Sequence, residues 1–166
     1  LTGKLFDETG DRLTPTHTTR RGRRLRYYIS NRLISGGKDS SALRLSAPNI
    51  EKQVTALIAD HMEVQANNYT LTKSSDLHGS NSNRKKVISF IKALRSEGML
   101  QYSKIIRDIH VHPKTIRVRL DVIKTASSLG IKVDKLSDEL IEFETAWTFK
   151  RRGVENRIII GDPAPE

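Results

Sequence analysis

Five arginines crowd into seven residues, Arg20, Arg21, Arg23, Arg24 and Arg26, and no fold can bury them together. At that spacing the charges repel one another, and taking them out of water is prohibitive unless anions accompany them. The run must therefore lie on the surface. Gly22 divides it and permits a turn, and the Tyr27-Tyr28-Ile29 sequence that follows is rich in β-formers. Guanidinium forks match phosphate oxygens, and each phosphate they neutralise releases counterions. The run reads as a β-ribbon or loop lying against nucleic acid; the alternative is a solvated basic loop.

The charge distribution supports a polyanionic partner at this end. Of the formal net charge of +10, residues 1–46 carry +6, with ten Lys and Arg against four Asp and Glu. Residues 47–102 and 103–166 carry +2 each. An anionic membrane surface is the weaker partner, because no basic amphipathic helix is visible at this end, and no apolar run approaches the ~18 residues of a membrane span. The chain has no cysteine, which removes disulfides and thiolate-held metals and accords with a cytoplasmic location. No signal peptide is recognisable, and a start at Leu1 without Met leads us to expect a piece of a longer protein.

The 166 residues accommodate one domain or two small ones. Residues 1–46 form a basic β-ribbon region. Within it Lys4-Leu5-Phe6 and Arg12-Leu13-Thr14 flank an acidic, glycine-containing turn, the pattern of a hairpin, and Arg24 to Ile29 makes a further strand. Ser35 to Ser41 reads as a flexible linker; it lacks the Gly-Lys-Ser/Thr ending of a phosphate loop. Residues 47–102 form a helical arm. Ser46 is a plausible N-cap with Pro48 in the first turn, and Ile50, Val54, Leu57, Ile58 and Met62 make an apolar stripe to about Gln65. Val87, Ile88, Ile91 and Leu94 make a second stripe over about 83–97, closed by Gly98, and the polar stretch 67–82 between them is expected to be exposed. Two narrow stripes joined by a polar loop predict an antiparallel, coiled-coil-like hairpin.

Residues 103–166 return to antiparallel β hairpins and end in a Pro-containing tail. From Thr115 to Val122 apolar Ile116, Val118, Leu120 and Val122 alternate with Arg117, Arg119 and Asp121, and from Ile141 to Phe149 apolar positions again alternate with Glu142 and Glu144. Residues 124–139 look irregular, and Trp147 is assigned to the core. The expected fold class is thus α+β, antiparallel β ribbons or sheet with an inserted two-helix antiparallel hairpin.

Catalytic chemistry is hard to place on this chain. His110 and His112 share a strand face near Asp108, but two imidazoles specify little, and a structural role is favoured over a metal. Ser40-Ser41 and Ser127-Ser128 lie outside any nucleophile-elbow pattern. Glu142 and Glu144 fall on a wet strand face. No catalytic residue, cofactor, metal or small-molecule substrate is assigned. The basic turn Lys150-Arg151-Arg152 is a second candidate for phosphate contact, weighed against a solvated hairpin tip.

Several stretches resemble the C-terminal region of the large, multidomain site-specific serine recombinases. They are Leu1-Thr2-Gly3-Lys4-Leu5-Phe6, Gly10 to Pro15, Arg26-Tyr27-Tyr28-Ile29-Ser30, the run from Ile105 to Leu120, and Arg151 to Arg157. The resemblance implies double-stranded DNA as partner, contacts with other recombinase subunits through the helical arm, and a serine nucleophile in a catalytic domain outside this chain. It also implies a departure. The family ribbon often holds zinc through two cysteine pairs, whereas the first knuckle here reads Asp7-Glu8-Thr9-Gly10 and Ser30 stands where a cysteine often follows the tyrosines. Without thiolates no zinc is expected, and packing must hold the ribbon. Two other readings remain open: a stand-alone basic RNA-binding protein of ribosomal type, and a protein-interaction module working through its helical hairpin. The residues preceding Leu1 would separate them.

Overall fold

The computed structural model describes residues 1–74, 77–152 and 155–160, with side chains described as far as Thr148 apart from those of residues 75–78. In chain order the elements are β1 (Leu5–Asp7), β2 (Leu13–Arg20), β3 (Arg23–Ser30), α1 (Asn31–Ile34), β4 (Arg44–Ser46), α2 (Ala47–Asn67), α3 (Leu77–Glu97), α4 (Met99–Tyr102), β5 (Ile106–Val111), β6 (Thr115–Leu120), α5 (Val122–Leu129), α6 (Asp138–Ile141), β7 (Glu142–Arg152) and β8 (Glu155–Ile160). The fold is α+β, with antiparallel strand pairs and a helical hairpin, as the periodicities predict.

Two compact units are woven from separate stretches of chain. Unit 1 holds Leu1–Gln53, Asp108–Arg117 and Glu144–Glu166; unit 2 holds Val54–Arg107 and Val118–Phe143. These units cut across the three consecutive segments read from the sequence. The strands form a sheet in the order β1-β5-β6-β7-β8-β4-β3-β2, so β1 and β2 are its two edges. β2 and β3 pair antiparallel along their whole length, from Leu13↔Ser30 to Arg20↔Arg23. Two pairings, β1 with β5 and β4 with β8, are parallel, so the sheet is mixed.

The hairpin expected between Lys4–Phe6 and Arg12–Thr14 is reduced to a single bridge, Phe6↔Arg12. β1 instead pairs with β5, and β2 gives its edge to β3. Eight residues of antiparallel ladder with β3 outweigh the three a short hairpin could offer β2. Trp147 is buried as expected, its indole N–H donating to the His112 carbonyl at 2.7 Å.

In unit 2 the antiparallel course of α2 and α3 is marked by their ion pairs and hydrogen bonds. Arg95 bridges Asp60 and Glu63 at 2.8 and 2.7 Å, and Arg84 donates to Asn67 at 3.1 Å. Val54, Leu57, Ile58 and Met62 of α2 and Val87, Ile91 and Leu94 of α3 are all buried. Helix α3 begins six residues before the first stripe position suggested, at Leu77 against about 83. The stretch 67–82 is also not simply exposed. Leu71 is buried and its carbonyl accepts from Ser137 N–H at 3.1 Å, while Ser137 Oγ donates to the Thr70 carbonyl at 2.6 Å. A polar run conceals one apolar anchor whose partner lies far along the chain.

The segment read as irregular is largely helical. Asp121 ends no strand face; its carboxylate caps α5 by accepting from Lys124 N–H at 3.0 Å, and Gly130 closes the helix at φ +63°. The cap pulls Val122 out of the strand alternation into the first helical turn. Similarly, Ser137 caps α6 through the Leu140 N–H at 3.2 Å.

If α2 and α3 are held by this shared apolar seam, truncating a side chain wholly within it must be costly. Leu94→Ala is expected to lower the stability of unit 2 by ~2–4 kcal/mol, read from denaturant unfolding followed by circular dichroism. A loss under about 1 kcal/mol would mean that the site collapses around the deletion and that Leu94 is not a seam residue.

Candidate nucleic-acid interface

The arginine run forms the far end of the β2–β3 ribbon. Arg21 and Gly22 make the two-residue turn, both at positive φ (49° and 75°), between the paired Arg20 and Arg23. Positive φ at both turn positions is the geometry that matches the twist of flanking antiparallel strands, and glycine suits the second position. Beyond β3, β4 pairs only with Tyr27, Tyr28 and Ile29. The ladder from His17↔Arg26 to Arg20↔Arg23 therefore has no third strand among the described residues. Four residues of strand extend about 14 Å at ~3.4 Å each. The major groove of B-form DNA is ~12 Å wide and ~8.5 Å deep and admits a two-stranded ribbon.

The alternation of β strands splits the arginines between two faces. Arg24 and Arg26 share a face with His17 and Tyr28. On this face the charges have partners: Arg24 Nη2 lies 3.3 Å from His17 Nδ1, and Arg26 pairs with Glu51 at 3.1 Å. Glu51 also accepts from the buried Tyr28 hydroxyl at 2.9 Å, tying the ribbon's base to the first turns of α2. The opposite face carries Thr14, Thr16, Thr18 and Arg20 against Ile29, Tyr27, Leu25 and Arg23. Arg20, Arg21 and Arg23 are exposed, and the described residues give them no carboxylate. Arg44, which the sequence reading passed over, stacks its guanidinium 4.3 Å from the Tyr27 ring centroid on this face.

At the base of the ribbon lies a second arginine that composition alone did not single out. Arg32 donates through Nη1 to Asp7, to Thr9 Oγ1 at 3.1 Å and to Asp11 Oδ2 at 3.3 Å, through Nε to Asp39 at 2.7 Å, and through Nη2 to Ser41 Oγ at 3.0 Å. The Asp7 side chain is fully buried. Its Oδ1 accepts from Thr9 N–H, Thr9 Oγ1 and Asp11 N–H, and its Oδ2 accepts from Ser30 Oγ at 2.8 Å as well as from Arg32. Ser30 Oγ in turn accepts from Leu43 N–H at 2.9 Å. The linker expected to be flexible is thus tied at Asp39 and Ser41 by Arg32.

This is where the recombinase resemblance would place zinc, and the residues do not fit that ion. The donors are carboxylates and hydroxyls, already engaged with the guanidinium and with backbone N–H groups, whereas structural zinc takes thiolates and imidazoles in a closed tetrahedron.

The remaining sequence candidates are dispersed. The backbone of Lys150, Arg151 and Arg152 runs in β7, paired with Arg157, Asn156 and Glu155, and their side chains lie outside the described residues. His110 stacks on Phe6 with centroids 5.2 Å apart and lies 3.4 Å from Asp108, while His112 offers its carbonyl to Trp147. Glu144 pairs with Arg117 at 3.0 Å on an open face of the sheet. Neither Arg32 nor Arg44 is conspicuous in sequence; the one local signal for Arg32 is its place two residues after Ser30, opposite an Asp-x-x-x-Asp turn. No helix among the described residues is long and apolar enough to cross a membrane.

Compared with family models, with curated proteins and with solved structures, the chain finds no match in any of the three.

The cluster around Asp7 makes unit 1 sensitive to acid. Burial by itself would raise the Asp7 pKa, but donors from Thr9, Ser30 and Arg32 outweigh it and hold the carboxyl below its ordinary value. A group that titrates lower in the folded than in the unfolded chain contributes stability in full above its unfolded pKa, about 4, and loses it as pH falls through the folded value. Acid titration of wild type and Asp7→Asn, followed by tyrosine fluorescence, is expected to show wild-type stability falling below about pH 4 and a weaker dependence in the variant. Parallel acid profiles would refute this role for Asp7.

Proposed function

We propose that this chain is the DNA-binding and subunit-contacting part of a site-specific serine recombinase, with the serine nucleophile in a catalytic domain outside it. The observation that carries the reading is the free-standing end of the β2–β3 ribbon. It is two strands wide, long enough to reach a groove floor, and tipped by Arg20, Arg21 and Arg23, which have no carboxylate among the described residues. Cations held out on a ribbon without anionic partners are suited to phosphates, which position a protein on the duplex largely without regard to sequence. The recombinase part of the reading rests on the resemblance at Leu1–Phe6, Gly10–Pro15, Arg26–Ser30 and Ile105–Leu120. For subunit contacts through the helical arm, support comes from Val64 and Tyr69, which are half exposed near the end of α2 where the arm turns. A cytoplasmic location follows from the same reading.

Replacing Arg20, Arg21 and Arg23 together by Ser is expected to weaken binding to unrelated duplexes alike. The slope of log affinity against log salt should flatten by about three, at ~0.9 per phosphate contact, with the fold unchanged because the three side chains are exposed and have no carboxylate among the described residues. Fluorescence anisotropy across a salt series reads both quantities. Equal slopes for wild type and triple variant would refute phosphate tracking by the ribbon and turn attention to Lys150, Arg151 and Arg152. A wild type that prefers structured RNA to duplex DNA would favour the ribosomal-type reading instead.

A further inference from the structure

We propose that the Arg32 guanidinium takes the place of a structural metal ion in this ribbon, serving as the cation that locks the turn 7–11, the end of β3 and the loop 39–41 together. A structural metal neutralises anionic donors, links segments distant in sequence, and fixes their geometry through directional bonds. Arg32 does all three. It sits among the carboxylates of Asp7, Asp11 and Asp39. Its contacts reach the 7–11 turn and the 39–41 loop from a position just past Ser30, whose own hydroxyl bonds Asp7 and is bonded by Leu43 N–H. Its planar, forked donors give direction: Nε, Nη1 and Nη2 each address a different segment or oxygen. The residual negative charge is met by the backbone N–H groups of Thr9, Asp11, Arg32 and Ser41, which donate to the same three carboxylates. A lysine could supply the charge but not the fork.

The alternative uses of this cluster are weaker. As an acidic site for a hard cation it would need to expel the guanidinium that already satisfies it. As a flexible hinge it would need free loop residues, and Asp39 and Ser41 are bonded both to each other and to Arg32. The inference stands independently of what the ribbon binds.

The test uses the full chain and follows backbone amide hydrogen exchange at Thr9, Asp11, Ser41 and Leu43, with amides of α3 as reference. In wild type, EDTA is expected to leave these four amides unchanged, and titration with cobalt(II) should produce no tetrahedral ligand-field absorption. Arg32→Gln should speed their exchange roughly tenfold or more relative to the reference, with Arg32→Lys recovering only part of the loss, as a point charge without the fork should. Should Arg32→Gln not fold, Asp39→Asn weakens one exposed Arg32 contact and is read at Thr9 and Asp11, whose N–H groups bond Asp7 and not Asp39: faster exchange there supports the lock, and unchanged exchange overturns it. Acceleration by EDTA in wild type, or unaltered exchange in a folded Arg32→Gln, would likewise overturn the proposal.

Discussion

The pairing of Arg32 with the buried Asp7 is the interaction on which the ribbon depends. A carboxylate with no exposed surface is tolerated only if paired and fully hydrogen-bonded, and Asp7 has both conditions met by groups from three segments. Removing Arg32 leaves the buried Asp7 charge without its cation in a site too dry to solvate it, whereas Arg32 without Asp7 keeps Asp11 and Asp39 and part of its exposure to water. The arrangement therefore specifies a geometry as much as it stabilises one: the chain can close at Asp7 only when the turn, Ser30 and Arg32 are all in register. That register places Leu13 opposite Ser30, and every pair out to Arg20 and Arg23 follows from it.

A two-stranded ribbon projecting from a sheet edge is ordinarily a liability, because unpaired backbone groups invite another strand. Here the exposed ends of β2 and β3 are lined with arginine, histidine and threonine, and like charges on two such ribbons would repel. The same side chains that suit a phosphate backbone thus keep the edge from pairing with itself. The division of labour between faces adds to this. Arg26 and Tyr28 converge on Glu51 and hold the base of the ribbon, while Arg20, Arg21 and Arg23 at the tip are exposed and meet no carboxylate among the described residues. An arginine cluster that looks uniform as text is two groups with different roles, one anchoring and one exposed.

The legible parts of the fold were those written in a local period. The stripe Ile50–Met62 is buried in α2, Val87, Ile91 and Leu94 of the second stripe are buried in α3 with Ile88 half-buried and Phe90 buried beside them, and the alternation of Ile116, Val118 and Leu120 is the buried face of β6. The exposure of the arginine run was equally legible, since no interior can accept five guanidinium groups. What misled was chemistry with two meanings. Asp121 fits both the wet face of a strand and a helix cap, and the Lys124 N–H it accepts from shows that the cap prevailed. Leu71 in a polar run looked incidental, yet it is buried beside residues some sixty-five positions later.

By itself, then, the sequence determined the class of fold, the two helices, the half-buried strands and the exposed basic ribbon, because each depends on residues within a few positions of one another and on the cost of burying charge. Only the tertiary structure decided the parallel pairing of β1 with β5 and of β4 with β8, the separation of the arginines into a group with side-chain partners and a group with no carboxylate among the described residues, and the gathering of Asp7, Asp11 and Asp39 on Arg32. Those outcomes depend on which distant backbone and side-chain groups meet. Hydrogen bonds and ion pairs over such separations leave no period along the chain, and they are specified only when the whole set of partners is assembled at once.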